Sequence, residues 1–263
     1  MNNQEAREIV TYIDIMDLHT HTIASGHAYD TIYEMAASAS RKGVALLGIT
    51  EHGPAMRGAK DQIYFNNFKM LPRELYGVKM MFGCELNILD YNGNVDLPER
   101  ILNKQDYTVA SLHKNCCTPG TVVQNTQAYL NVMTHPKVCI IGHPDDNAFP
   151  VDYETLVHAA KENHVLLEVN SNSLHPRCIR SGAGENYAVM LELCKKLQVP
   201  VVIDSDAHCE VDICNHGRVF QLLSELEFPQ ELIVNRSLDA AAEYIPFLKR
   251  LLNGEVTPME AAL

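Results

Sequence analysis

The sequence predicts an α/β barrel, and three observations carry that reading. Short apolar runs alternate with helix-like segments along most of the chain. The runs are continuous rather than alternating, as in parallel strands buried on both faces. Residues that could bind a metal follow nearly every run, as they would at the mouth of a barrel. Seven such units in 263 residues favour a barrel over an open sheet.

Taken in order, Ile13-Asp14-Ile15-Met16-Asp17-Leu18 is the first strand. Thr31 opens a helix, with Glu34 three residues on as a capping box, and Gly43 closes it after Arg41-Lys42. Residues 44–50 form the second strand. The stretch 53–76 contains Pro54, Pro72, Tyr64, Phe65 and Phe68; it predicts loop plus a short helix, available as an interface or a lid. Residues 78–84 are the third strand, and Asn92-Gly93-Asn94 signals a hairpin turn. The fourth strand is 107–112, followed by a helix over 126–133. The fifth strand is 138–142, and Asp152 caps a helix running to Asn163. The sixth strand is 165–170, followed by a helix over 185–197. The seventh strand is 199–204. A helix near 215–225 follows, and Ser237 caps a last helix that ends at Asn253-Gly254. Residues 1–12 read as an N-terminal extension and 13–263 as one domain.

A formal charge of −12 argues against broad, charge-driven binding of nucleic acid. No run has the roughly 18–20 apolar residues of a membrane span. Eight cysteines contain no Cys-x-x-Cys pair, and several sit in apolar runs. They read as free thiols in a reducing cytoplasm.

Function concentrates where the strands end. His19 and His21 close the first strand at i and i+2, which puts both imidazoles on one face. The second strand ends in Thr50-Glu51-His52, the third at Glu85, the fourth at His113 and the fifth at His143. The sixth ends in Glu168-Val169-Asn170, and the seventh in Asp204-Ser205-Asp206-Ala207-His208. His27 lies in the first loop. Borderline divalent metals take this imidazole and carboxylate set readily. Asp17 is expected to orient His19 through its second ring nitrogen, and Asp204 to stand behind Asp206. His135, His158, His164 and His216 fall away from the strand ends and read as ordinary surface or structural residues.

These motifs, with Gly83-Cys84-Glu85, Gly142-His143-Pro144 and the loop Ala24-Ser25-Gly26-His27, resemble the PHP (polymerase and histidinol phosphatase) superfamily. The YcdX-like phosphatases within it resemble the chain most. The resemblance implies a distorted (β/α)7 TIM-like barrel with three divalent ions at its mouth, zinc first, with manganese or iron as alternatives. It implies one ion on His19, His21, Glu85 and Asp206. A second would sit on Glu85, His113 and His143, and a third on His27, His52 and His208. The family's usual Thr-Asp-His is Thr50-Glu51-His52 here, and the acid at 51 is not a ligand in that scheme.

The implied activity is phosphomonoester hydrolysis by a hydroxide bridging two ions near Glu85. Asp206 is one candidate for delivering a proton to the leaving group. Arg177 and Arg180, in the loop after the sixth strand, are candidates to grip the phosphate, and His175 to line the mouth. The amides of Gly182-Ala183-Gly184 are a weaker anion-binding candidate. The runner-up activities are a histidinol-phosphate phosphatase, a PHP-type nuclease and a metal-binding module without turnover. Expected partners are a small phosphorylated substrate and a second copy of the chain, with neither nucleic acid nor membrane.

Overall fold

A computed structural model describes residues 12–256. Of the expected N-terminal extension, only Tyr12 falls among them. Seven parallel strands form the wall: β1 (Met16–Thr20), β2 (Leu46–His52), β4 (Val78–Asn87), β5 (Thr108–Ser111), β6 (Val138–Ile141), β7 (Leu166–Asn170) and β8 (Val201–Asp204). The two-residue β3 (Glu74–Leu75) pairs antiparallel with β4. The order β1-β2-β4-β5-β6-β7-β8 follows the chain, so each unit adds beside the last.

Between the strands lie α1 (Ile32–Arg41), α2 (Gln62–Asn66), α3 (Glu99–Leu102), α4 (Val122–Met133), α5 (Tyr153–Asn163) and α6 (Ala183–Leu197). The tail carries α7 (Gly217–Glu225), α8 (Leu238–Ala242) and α9 (Pro246–Leu252). Thr31 and Glu34 form the expected capping box on α1. The 126–133 helix starts earlier, because Thr121 and Gln124 make a second capping box. The single last helix is two, since Pro246 can begin a helix but not sit inside one.

The stretch 53–76 is no loose lid. Phe65 and Phe68 are buried, and Phe68 lies 5.7 Å from the Phe82 ring of β4. Asn92-Gly93-Asn94 does turn a hairpin: Leu89 N–H donates to Asn94 O, and Gly93 takes φ 80°.

The seam between β1 and β8 is closed mostly by side chains. Leu18 N–H donates to Asp204 at 2.6 Å, and Ser205 N–H to Asp17 at 3.0 Å. Below them Asn235 mimics a strand: Ile203 N–H donates to its Oδ1, and its Nδ2 donates to Ile203 O and Met16 O. Asp17 therefore ties the wall together and does not orient His19.

Period-two geometry explains the site's position. Met81-x-Gly83-x-Glu85, Val109-x-Ser111, Leu166-x-Glu168-x-Asn170 and Val202-x-Asp204 each share one strand face, with Tyr107 just before the second and His113 and Asp206 just past the second and fourth. Their lower members pack into one cluster with Met16, Leu18, Leu46 and Ile140, which α8 and α9 cover through Ala241, Ile245 and Leu248. Their upper members are polar. Gly48 lacks a Cβ where the Tyr107 hydroxyl crosses the interior to Leu18 O, and an added Cβ would come within 1.9 Å of it.

Candidate metal centre

Glu85 is fully buried at the centre of the mouth, and five histidines from four segments converge on it. Its Oε1 lies 2.9 Å from His143 Nε2, 3.2 Å from His113 Nε2 and 3.4 Å from His19 Nε2. Its Oε2 lies 2.5 Å from His52 Nδ1 and 3.6 Å from His21 Nε2. Asp206 Oδ1 approaches His21 Nε2 at 3.3 Å and His19 Nε2 at 3.8 Å. At the outer edge, His27 Nε2 and His208 Nε2 are 3.1 Å apart. All nine residues expected as ligands are thus in one cluster.

The histidines are aimed by what holds their other nitrogen. His19 Nδ1 meets Glu168 at 2.6 Å, His21 Nδ1 meets Ser25 Oγ at 2.9 Å, and His113 Nδ1 meets Asn87 Oδ1 at 2.7 Å. His208 Nδ1 meets the Asp206 carbonyl at 2.9 Å. In each case Nε2 is left facing the cluster, as carboxylates and carbonyls commonly arrange metal-binding imidazoles. His52 differs, because its Nδ1 faces Glu85. It lies between two groups, its ring 4.9 Å from that of His27 and 5.2 Å from that of His113.

Burial and charge make the cluster costly without a cation. His19 Nε2, His21 Nε2, His52 Nδ1 and Glu85 Oε2 are buried with no hydrogen-bond partner among the described residues. Orphaned buried polar atoms are rare in folded proteins. Ligand-type atoms of His19, His21 and Glu85 lie within 4.8 Å of one another, as do those of His52, Glu85 and His113, and of His21, His52 and His208. The donors fit divalent ions. Burial disfavours charge on Glu85, yet His52, His113 and His19 hold its carboxyl well below the usual range. Burial, then His52 and His208, pushes His21 well below an ordinary histidine, which leaves it neutral and able to ligate.

Three positioning residues carry no role in the sequence reading. Glu168, inside an apolar run, accepts from His143 N–H at 2.6 Å as well as meeting His19. Glu51 is buried and accepts from Thr22 and from Ser25, the hydroxyl that meets His21. Asn87 holds His113 and is itself held by Asp96 at 2.6 Å. The available signal was a carboxylate or amide in a buried strand, which must find partners. His143 and Asp206 take φ 29° and 54°, the left-handed region, which is held at a backbone cost and often marks a functional site.

The two arginines part company. Arg180 donates to Asp206 at 2.8 Å, to Asn170 at 3.1 Å and to Ser173 at 2.9 Å. Burial opposes its charge, but Asp206 and Asp145 hold it. Arg177 is exposed on the rim. Both line a cavity of about 980 Å³ over the cluster, with His175, Arg57, Lys114 and Arg218. Gly182 starts α6 against the Asn147 side chain, and neither it nor Ala183 and Gly184 is among the lining residues.

The PHP-domain pattern matches residues 17–172, more than half the chain. The chain belongs to the PHP family. A protein of Clostridium novyi named a probable phosphatase is 47% identical over 221 residues, 84% of this chain and 90% of its own. One of Acetivibrio thermocellus with the same name is 43% identical over 231 residues, 88% and 95% of the two chains. In structure, the PHP barrel resembles a Lactococcus lactis histidinol phosphate phosphatase crystallised with zinc, L-histidinol and phosphate. The TM-score is 0.56 at 15% identity, over 82% of this chain and 95% of that one. It also resembles a chain of an archaeal ribonuclease P bound to mature tRNA, with TM-score 0.55 at 17% identity, over 94% and 97% of the two chains. At such identities these two establish the fold. The fold is thus the distorted TIM-like barrel that the PHP resemblance implied.

Proposed function

We propose that this PHP protein is a metal-dependent phosphoesterase acting on small phosphomonoesters at a three-ion centre. The observation that carries the reading is the gathering of four orphaned buried donor atoms on and around Glu85 below a wide cavity. The relatives named probable phosphatases support the reaction class. His19, His21, Glu85 and Asp206 would hold one ion, Glu85, His113 and His143 a second, and His27, His52 and His208 the third. Zinc suits these donors, as do manganese and iron.

When bound, such ions supply an acidified water and positive charge to receive phosphoryl oxygens. The chain's own residues do the rest. Glu168, Ser25 and Asn87 keep imidazole nitrogens aimed inward, so little reorganisation is left for the reaction itself. Arg180 keeps Asp206 oriented and presents a fixed positive charge at the cavity wall. Arg57, Arg177 and Arg218 line the same cavity and make it attractive to an anionic ester on an otherwise acidic protein. Asp206 lines the cavity, as Asp146 and Asp212 do; burial opposes its charge, but His19, His21 and Arg180 hold its carboxyl well below the usual range, so it would relay to the leaving oxygen a proton taken from water.

The chain folds as one domain over 13–263 in this reading. It works as a soluble cytoplasmic enzyme; no helix among the described residues is long and apolar enough to cross a membrane. The experiment is turnover of p-nitrophenyl phosphate by the full chain, before and after chelation and again after metal is restored. Turnover lost and regained supports the reading, and its absence in the metal-restored protein overturns it.

A further inference from the structure

We propose a second metal site, separate from the mouth, on Asp14, Cys214 and His216, which takes a thiophilic divalent cation such as zinc. One ligand-type atom from each of the three lies within 4.8 Å of the other two. That spacing suits a single ion bound at about 2.0–2.3 Å from nitrogen, oxygen and sulfur. Asp14 precedes β1, whereas His19 follows five residues later near its far end. At about 3.3 Å per residue, the two sites are roughly 16 Å apart along the strand.

His216 is 1% exposed, and only one of its ring nitrogens has a partner. Nδ1 lies 2.7 Å from Asp14 Oδ2, while Nε2 is buried with none among the described residues. A plain ion pair with Asp14 does not resolve this: the charged ring leaves a buried N–H without an acceptor. An ion on Nε2 occupies the free nitrogen, with Asp14 as the carboxylate behind the ring; an ion on Nδ1 takes Asp14 as a ligand and leaves Nε2 as it is.

Cys214 is held in place for the same task. Its backbone takes φ 51°, a left-handed conformation unfavourable for a non-glycine residue, and its N–H is pinned by Asp17 at 2.8 Å. Its thiol has only the Met16 carbonyl at 3.8 Å. Burial first, then Asp17 and Asp14, pushes that thiol upward, so the surroundings oppose an isolated thiolate and favour a cation beside it. Asp14 and Cys214 are partly exposed, which leaves an entry path and room for a water as fourth ligand. A cation here would tie the lead-in to β1 to the start of α7, across the seam that Asn235 also bridges. The proposed role is structural. Sulfur selects against magnesium and calcium.

The mouth cluster contains no cysteine, which gives a direct test. The metal-stripped full chain is titrated with Co2+, and the thiolate-to-cobalt charge-transfer absorption is followed in the near ultraviolet. The proposal expects a saturating band that is lost in Cys214→Ser, while the sulfur-free d–d absorption of the mouth remains. Asp14→Asn, the second variant should Cys214→Ser not fold, is expected to weaken the band's Co2+ affinity roughly tenfold or more. No band in the wild-type chain overturns the site. A band that survives in Cys214→Ser, or that Asp14→Asn leaves at unchanged affinity, also overturns it.

Discussion

Glu168→Gln is the most informative single change outside the ligands. The wild-type carboxylate serves His19 through Oε1 and the His143 backbone N–H through Oε2, both at 2.6 Å and both buried. Gln matches the shape but has only one acceptor oxygen. Turned toward His19, it presents its NH2 to the His143 N–H, donor against donor; turned the other way, it strands the His19 N–H. Leaving aside the longer bond from Asn170 Nδ2 at 3.1 Å, the two short hydrogen bonds to this charged group, worth about 1.5–3 kcal/mol each, become one neutral bond worth about 1. The net loss is roughly 2–5 kcal/mol, shared between folding and metal affinity. The assay is competition with a chromophoric chelator, alongside thermal unfolding of the metal-free protein. We expect metal affinity to fall about 10–100-fold, as when such supporting partners of a ligand are removed, with a lower Tm. Affinity within twofold of wild type, with Tm unchanged, would refute the positioning role.

Four further outcomes follow from the same geometry. In the metal-free protein, burial opposes charge on His19, but Glu168, Glu85 and Asp206 raise it well above an ordinary histidine. An entering ion must displace that proton, so apparent metal affinity should fall as pH drops below His19's raised value. Calorimetry in buffers of different ionisation enthalpy should detect proton release near neutral pH, and none is expected from His19→Gln at that position. Gly26→Ala should dislodge the His27 loop, because Gly26 has φ 85° and its added Cβ would meet Gly58 O at 2.4 Å; elemental analysis should find the outer ion depleted. Tyr107→Phe removes the buried hydroxyl that donates to Leu18 O and should cost about 1–3 kcal/mol in denaturant unfolding, leaving metal stoichiometry unchanged. Arg180→Ala frees Asp206 from its 2.8 Å partner and should lower kcat/KM for p-nitrophenyl phosphate at least about tenfold, against about twofold or less for the exposed Arg57→Ala.

The mouth was legible because ligand and core share each strand. Met81 and Glu85 sit on one face at even spacing, so an apolar run names the residue that tops it. The aim of those ligands was not legible. Glu168 is 149 residues from His19, and Ser25 is 26 from Glu51, so only the closed barrel brings them together. The ligand scheme gives the acid at 51 no part, and its link through Ser25 to His21 appears only in the closed fold. Asp17 shows the converse: its spacing before His19 suggested a local partner, and the seam claimed it instead. Val122-Val123 discouraged a helix start through their β-branched side chains, yet the Thr121–Gln124 capping box prevailed.

The central claim is a multinuclear metal centre that hydrolyses phosphomonoesters, and its most direct test is metal content per chain paired with turnover. The full chain, purified without added metal, would be analysed by elemental mass spectrometry and assayed with p-nitrophenyl phosphate. About three zinc, manganese or iron ions at the mouth, counted in the Cys214→Ser background, with turnover abolished by chelation, is the predicted result. One ion or none, with no turnover after metal is restored, would contradict it.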